Sequence, residues 1–205
     1  MSGLYRLLGA LATLLIAGSG SAAELPAPWV ELAANGELSV RAVVAPGAPC
    51  PPVSGDGVTL AASRRGPPDG KFPVEVCEAP APATVARLAV GGIAVPTLPA
   101  TARRIVVIGD TGCRLEGKAV QDCGIPAAWP FPAIAASAAA KRPDLVIHLG
   151  DYYYRVSACP VGRAGCAGSP HGDNWQSWKA DFFDAAAPLL AAGPWVMVRD
   201  RKSVV

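Results

Sequence analysis

The stretch that decides the fold is residues 143–151, PDLVIHLGD, an apolar run that begins after a proline and ends in Gly-Asp. Similar apolar runs occur at residues 103–112, RRIVVIGDTG, and 194–199, PWVMVR. Helical patterns separate these runs: AWPFPAIAASAAAKR at 128–142 and NWQSWKADFFDAAAPLLAAG at 174–193. Apolar strands that alternate with helices predict an α/β fold, with a parallel sheet and helices on its faces.

The segment before residue 100 has a different pattern. Residues 29–46, WVELAANGELSVRAVVAP, contain two extended runs around Asn35-Gly36, which is a strong hairpin signal. Further short extended runs follow, separated by clusters of proline and glycine. We therefore predict a small β-rich domain with its linker at residues 24–100, in front of an α/β domain at residues 101–199.

The first residues predict export. Arg6, an apolar run over residues 7–17 and the small residues Ser21 and Ala23 are typical of a secretory signal peptide at residues 1–23. Its apolar core is too short to span a bilayer core of roughly 30 Å. We expect a periplasmic or secreted protein with no stable membrane insertion after the signal is removed.

The cysteines support an oxidising compartment. An even number of cysteines in an exported chain favours disulfides, and the six present are Cys50, Cys77, Cys113, Cys123, Cys159 and Cys166. Many connectivities are compatible with six cysteines, and we expect sequence neighbours to pair. The formal net charge of +2 resides in Arg6 and the last six residues. The neutral remainder offers no basic surface for nucleic acid.

Two acidic residues are candidates for metal binding. Asp110 and Asp151 each follow a glycine at the end of an apolar strand. The carboxyl ends of parallel strands meet at one edge of a sheet, where ligands bind in α/β proteins. Two carboxylates there can share a cation, since hard cations prefer oxygen ligands. The alternative is that each aspartate caps a loop or the following helix.

The motifs around these aspartates resemble a known family. GDTG at residues 109–112 supplies Asp110 and Gly112, and GDYYY at residues 150–154 supplies Asp151 and Tyr154. Over residues 103–199, the chain is similar to calcineurin-like metallophosphoesterases, specifically the purple acid phosphatase type. The resemblance implies part of a metallophosphoesterase β-α-β-α-β layer.

The resemblance also implies a chemistry. The expected activity is metal-dependent, acid phosphatase-like hydrolysis of small phosphate esters at a dinuclear centre of iron with iron, zinc or manganese. Asp151 would bridge both metals, and Asp110 and Tyr154 would bind the ferric ion. If Tyr154 only lines a wall, the protein would be a divalent-metal phosphodiesterase. A non-catalytic exported α/β binding module is a further alternative.

The remaining candidates have weaker patterns. His148 lies within a predicted strand, so we expect a buried histidine that packs in the core or orients a metal ligand. His171 lies in a loop and either contacts substrate or is solvated. Tyr152 and Tyr153 have no ligand position in the family pattern, and we expect them to pack or line the pocket. No residue stands out as a general acid or base.

Residues 200–205, DRKSVV, stand where the resemblance implies Gly-Asn-His and an acid. The late histidine ligands of a second metal are likewise missing from this chain, which has two histidines. One reverse translation, GATCGGAAGAGCGTCGTG, resembles the start of a common sequencing-library adapter. We expect this tail to be non-native and the chain to be a fragment with little or no activity; resequencing the locus tests this.

Overall fold

The computed structural model describes residues 25–198, so the predicted signal peptide and the predicted non-native tail lie outside the described residues. These residues form a mixed α/β protein with more strands than helices. The strands are β1 Trp29–Leu32, β2 Leu38–Val44, β3 Val53–Gly55, β4 Val58–Leu60, β5 Ser63–Arg64, β6 Glu75–Ala81, β7 Leu88–Val90, β8 Ile93–Val95, β9 Ile105–Ile108, β10 Leu115–Glu116, β11 Ala119–Val120, β12 Leu145–His148 and β13 Trp195–Met197. The helices are α1 Phe131–Ala139, α2 Trp175–Trp178 and α3 Asp184–Leu190. A π-helical turn at Lys179–Phe183 joins α2 to α3, and a 3₁₀ turn covers Ala164–Cys166.

The main sheet has seven strands in the order β5-β6-β2-β1-β13-β12-β9. The three apolar runs form its neighbouring strands β9, β12 and β13, which pair in parallel as predicted. In this register Ile108 and Met197 both lie opposite His148. The carboxyl ends of β9 and β12, where Asp110 and Asp151 follow, are therefore level with each other.

The prediction of helices on both faces of the parallel strands is wrong for residues 25–198. Helices α1 and α3 pack on each other and on the face that carries Val146 and Trp195. On the opposite face, Ile105 is 50% exposed and Val107 is 56% exposed. The strand order explains the difference. The chain moves from β9 to β12 to β13 in one direction, and right-handed crossovers in one direction place both helices on the same side.

The N-terminal segment is β-rich, as predicted, and its first hairpin forms around Asn35-Gly36. In that turn the Ala33 N–H donates to Glu37 O at 2.8 Å, and Gly36 has a φ of 81°. Strands β4, β3, β7 and β8 form a separate antiparallel sheet. Strands β1, β2, β5 and β6 instead join the main sheet, and β1 pairs in parallel with β13. The main sheet thus continues across the predicted domain boundary.

The structure contains three disulfides between sequence neighbours, Cys50–Cys77, Cys113–Cys123 and Cys159–Cys166. This is the expected pairing, and it fits an exported protein. In residues 25–198, no helix has the length and apolar character needed to cross a membrane.

Candidate metal centre

Two loops meet at the carboxyl edge of the parallel strands. The Asp110 N–H donates to Gly150 O at 3.1 Å, and the Thr111 N–H donates to Asp151 O at 3.0 Å. Asp110 and Asp151 both adopt left-handed backbone conformations, with φ of 57° and 58°. This conformation is uncommon outside glycine and is often found at functional sites. The loop after β9 and the loop after β12 therefore form one paired unit.

The phenol of Tyr154 joins the two carboxylates. Its side chain hydrogen-bonds to both Asp110 and Asp151, although the tyrosine is only 4% exposed. Burial raises the pKa of Tyr154 above its ordinary value, and the hydrogen bonds to the two carboxylates raise it further. The structure thus places the Tyr154 phenol beside the Asp110 and Asp151 carboxylates, the three side chains predicted from the sequence as metal ligands.

Gly112 allows this convergence because the two loops touch at its Cα. A Cβ atom added there would lie 2.6 Å from the Tyr154 backbone nitrogen and 2.9 Å from the Tyr153 carbonyl carbon. Real Cβ contacts are not this short. The glycine of the Asp-x-Gly motif therefore sets the distance between Asp110 and the loop that carries Tyr154.

Arg114 was not predicted as part of the site. Its guanidinium forms an ion pair with Asp110 at 2.8 Å and lies 4.3 Å from the centroid of the Tyr154 ring. The spacing of four residues between Asp110 and Arg114 is a weak signal, because charged pairs at this spacing are common on surfaces. A positive charge thus already stands beside the converging oxygens.

His148 is fully buried, as expected. The Gly150 N–H donates to His148 Nδ1 at 3.1 Å, so the proton of the neutral ring is on Nε2. The His148 Nε2–H donates a hydrogen bond to Thr111 Oγ1 at 2.9 Å. Thr111 and Gly150 belong to different loops, and the imidazole therefore ties the loops together from beneath. Its ring also stacks on Tyr152, with centroids 3.9 Å apart.

Tyr152 and Tyr153 occupy packing positions. The Tyr152 hydroxyl donates to Val198 O at 2.9 Å. Tyr153 stacks on Trp178 with a centroid distance of 5.6 Å. Burial, together with nearby carboxylates of which Asp173 contributes most, raises the pKa of Tyr153 to about 12. The three adjacent phenols therefore have three different environments.

Asp181 was also missed by sequence reasoning, which read its surroundings only as helical core. Its carboxylate accepts the Cys113 N–H at 3.0 Å and the Tyr154 N–H at 2.9 Å, and it pairs with Arg155 at 2.5 Å. Burial raises the pKa of Asp181, while Arg155 and the two backbone donors act in the opposite direction. A buried acid inside an apolar helix pattern is the signal that could have identified it.

His171 is exposed and stays outside the convergence point. Its carbonyl accepts a hydrogen bond from Asn174 Nδ2 at 2.8 Å. The next residue, Gly172, donates its N–H to Arg155 O at 2.8 Å, so the loop runs beside the loop that follows β12. Asn174 Oδ1 accepts the Ser177 N–H at 3.0 Å and caps α2.

A cleft of about 480 Å³ opens next to Asp110. It lies between the end of β9 and the start of α1, and Arg114 forms its charged side. Apolar wall is contributed by Trp129, Phe131 and Ile134. The cleft can thus take a molecule that presents an anionic group to Arg114 and an apolar group to α1.

The donor set fits one hard cation. Asp110, Asp151 and Tyr154 offer carboxylate and phenol oxygens, which such a cation prefers, although Asp110 already has a cationic partner in Arg114. Between residues 25 and 198, no group of three or more His, Cys, Asp or Glu side chains is placed to hold a metal. The described residues thus bring two carboxylates and a phenol near each other, and a metal site at this point is a proposal.

A scan against models of protein families and a search of curated proteins find no match to this chain. Among solved structures, the chain is similar to one described as "Structure of PhoD", with 16% identity and a TM-score of 0.38. The superposition covers 86% of this chain and 37% of that chain, so this chain spans well under half of that protein's length. A similarity of this size does not establish a shared fold, and the function proposed below rests on the site itself.

Proposed function

We propose that the full-length parent of this chain is an exported, metal-dependent hydrolase of small phosphate esters, of the purple acid phosphatase type. In this proposal Asp110, Asp151 and Tyr154 would hold a ferric ion, and Asp151 would also be a ligand of a second metal, which is iron, zinc or manganese. The observation that carries the proposal is the pairing of the two loops, in which the Asp110 N–H donates to Gly150 O at 3.1 Å and the Thr111 N–H donates to Asp151 O at 3.0 Å, with the Tyr154 phenol beside both carboxylates. In this proposal, two loops supply the three oxygen groups that the cation would need.

The metal pair, when bound, would supply a hydroxide nucleophile and neutralise the phosphoryl oxygens. The side chains around it have separate tasks. Asp110 and Asp151 would supply negative charge to the cation, and Tyr154 would offer its phenol oxygen as a third ligand. Arg114, on the charged side of the adjacent cleft, would bind an anionic group of the substrate. Thr111 and His148 hold the two loops in register.

The described residues do not complete a dinuclear centre. They contribute three oxygen ligands, and the histidine ligands that the family pattern places later are not among them. We therefore propose that the 205 residues alone bind one metal ion weakly and turn over little substrate. The three disulfides support a periplasmic or secreted location, and the neutral body of the chain argues against a nucleic-acid partner.

One observation favours the non-catalytic alternative. Asp110 already has a complete ion pair with Arg114, so its charge is compensated without a metal. In a binding module, the cleft beside this pair would take a ligand and no ion would be needed. The divalent-metal phosphodiesterase would hold a divalent metal instead of ferric iron, and its Tyr154 would remain a neutral phenol in the presence of that metal.

Ferric binding to the purified chain separates these three functions. Titration with ferric citrate should give a visible tyrosinate-to-iron absorption band in the wild-type chain. Tyr154→Phe should abolish that band, and Tyr153→Phe should keep it, because Tyr153 stacks on Trp178 away from the carboxylates. Binding of zinc or manganese without a ferric band would favour the divalent enzyme. A folded chain that binds none of these metals would favour the binding module.

A further inference from the structure

The Asp181 carboxylate binds the backbone of both loops of the candidate metal centre. Its Oδ1 accepts the Cys113 N–H at 3.0 Å, and its Oδ2 accepts the Tyr154 N–H at 2.9 Å. Cys113 directly follows the Asp110-Thr111-Gly112 turn of the first loop, and Tyr154 is itself a candidate ligand in the second. A single side chain therefore fixes the distance between the two backbones.

The charge of Asp181 is held in place by Arg155. The Arg155 Nε donates to Asp181 Oδ1 at 2.5 Å, and the two side chains are 5% and 0% exposed. The Arg155 guanidinium also lies 5.1 Å from the centroid of the Trp129 ring. Trp129 in turn donates from Nε1 to Thr111 O at 2.9 Å. Through Trp129, Arg155 is thus also connected to Thr111 in the first loop.

The backbone around Asp181 is specialised as well. Asp181 is the central residue of the π-helical turn Lys179–Phe183, between α2 and α3. Such turns inside α-helices are rare and occur frequently at functional sites. A buried ion pair contributes little net stability compared with apolar packing, so stability alone does not explain why this helix carries a fully buried acid.

We propose that Asp181 is a positioning residue for the metal centre. By binding one backbone N–H from each loop, it keeps Asp110 and Tyr154 close enough to converge with Asp151. Asp181 is not itself a ligand, since its oxygens are already used by Cys113, Tyr154 and Arg155. This inference rests on the proposed function for its chemical purpose, but the positioning can be measured without a metal.

The test uses Asp181→Asn, with Asp184→Asn as the matched control. Asp184 lies three residues further along the same helical segment, with a 55% exposed side chain that pairs with Lys179. In Asp181→Asn, an NH₂ group replaces one acceptor oxygen. This donor then faces another donor, either a backbone N–H or Arg155, and one hydrogen bond is lost. We expect ferric affinity to fall by about 10- to 100-fold, the range seen when groups that orient metal ligands are removed. Asp184→Asn should bind like the wild type.

Amide hydrogen exchange of the metal-free chain provides the second readout. A purely local effect would speed exchange only at Cys113 and Tyr154, which bind Asp181 directly. A positioning role predicts faster exchange at the Asp110 and Thr111 amides too, because their bonds to Gly150 and Asp151 hold the loops together. If Asp181→Asn does not fold, the double variant Arg155→Gln/Asp181→Asn removes both charges and is measured in its place.

The outcomes separate the two proposals. Weaker ferric binding together with faster exchange at Asp110 and Thr111 supports the positioning role. Unchanged ferric affinity, or unchanged exchange at these two amides, overturns it. If the wild-type chain binds no metal, the proposed function fails, and the exchange at Asp110 and Thr111 alone decides whether Asp181 positions the loops.

Discussion

At the scale of single residues, Gly112 shows how a motif glycine is required by its neighbours. The Tyr154 nitrogen that would clash with a Cβ is backbone, which cannot rotate away. We expect Gly112→Ala to lower the free energy of unfolding by about 1–3 kcal/mol, the usual range for overpacking, and to weaken ferric binding. Urea denaturation and ferric titration measure the two effects. Gly66→Ala is the control, because a Cβ there meets nothing within 4 Å; equal effects of both substitutions would refute the steric argument.

The second prediction at this scale compares the two histidines of the chain. His148 is buried and bonds both loops, whereas His171 is exposed in its loop. His148→Leu leaves Thr111 Oγ1 and the Gly150 N–H without their partner, and an unsatisfied buried group costs about 1–3 kcal/mol. His171→Leu should change the free energy of unfolding by less than about 0.5 kcal/mol. Thermal denaturation compares the variants, and similar losses for the two would contradict the assigned roles.

The sequence made Asp110, Asp151 and Tyr154 candidates because strand ends and motif spacing are local signals, and their role as metal ligands stays a prediction. It was silent about Arg114 and Asp181. Arg114 stands in a loop where a charged residue is ordinary, and the importance of Asp181 depends on contacts with Cys113 and Tyr154, both distant in sequence. Only the folded chain brings these partners together.

At the scale of elements, the alternation of apolar strands and helices correctly predicted β9, β12 and β13 as parallel neighbours. It did not predict which side the helices cover. The sequence pattern shows that a strand is apolar on both faces. Which face a helix covers depends on the strand order, which is a property of the whole sheet. The π-helical turn at Lys179–Phe183 was equally hidden, because one extra residue per turn barely alters the apolar pattern.

Asp144, directly before β12, binds the backbone just before β9 and so joins the starts of the two strands. Its Oδ2 accepts the N–H groups of Arg103 at 2.9 Å and Arg104 at 2.8 Å. Hydrogen bonds from the Arg104 and Arg103 backbones hold the pKa of this carboxyl below its ordinary value. A carboxyl with a lowered pKa stabilises the fold above its unfolded-state pKa, near 4, and loses this effect as the pH falls through the lower folded value.

Asp144→Ala should therefore lower the Tm at pH 7, and the difference from wild type should shrink in strongly acidic buffer. Asp69→Ala provides a comparison, since Asp69 accepts the Lys71 and Phe72 N–H groups within its own loop and joins no strands. Thermal unfolding followed by circular dichroism at several pH values measures both variants. A Tm difference for Asp144→Ala that stays constant from neutral to strongly acidic pH would rule out the ionised carboxyl as its cause.

At the scale of the whole molecule, one sheet joins segments that the sequence pattern separates. Strand β1 pairs on one side with β2 and on the other with β13, and Glu31 lies opposite Trp195. A change in composition near residue 100 marks where the local pattern changes, but pairing between distant strands leaves no local signal. The N-terminal segment thus extends the sheet whose other end carries the candidate metal centre.

The exposed face of β9 leads to a prediction about association. Ile105 and Val107 lie on this face with 50% and 56% exposure, and exposed apolar strand faces at a sheet edge promote aggregation. The double variant Ile105→Thr/Val107→Thr keeps β-branched side chains that suit a strand. It should reduce light scattering at high protein concentration and leave the Tm nearly unchanged. Val146→Thr, on the fully buried face of β12, should instead lower the Tm, because it buries a hydroxyl. If the double variant unfolds as readily as Val146→Thr, the face of β9 is packed in solution and the predicted association is wrong.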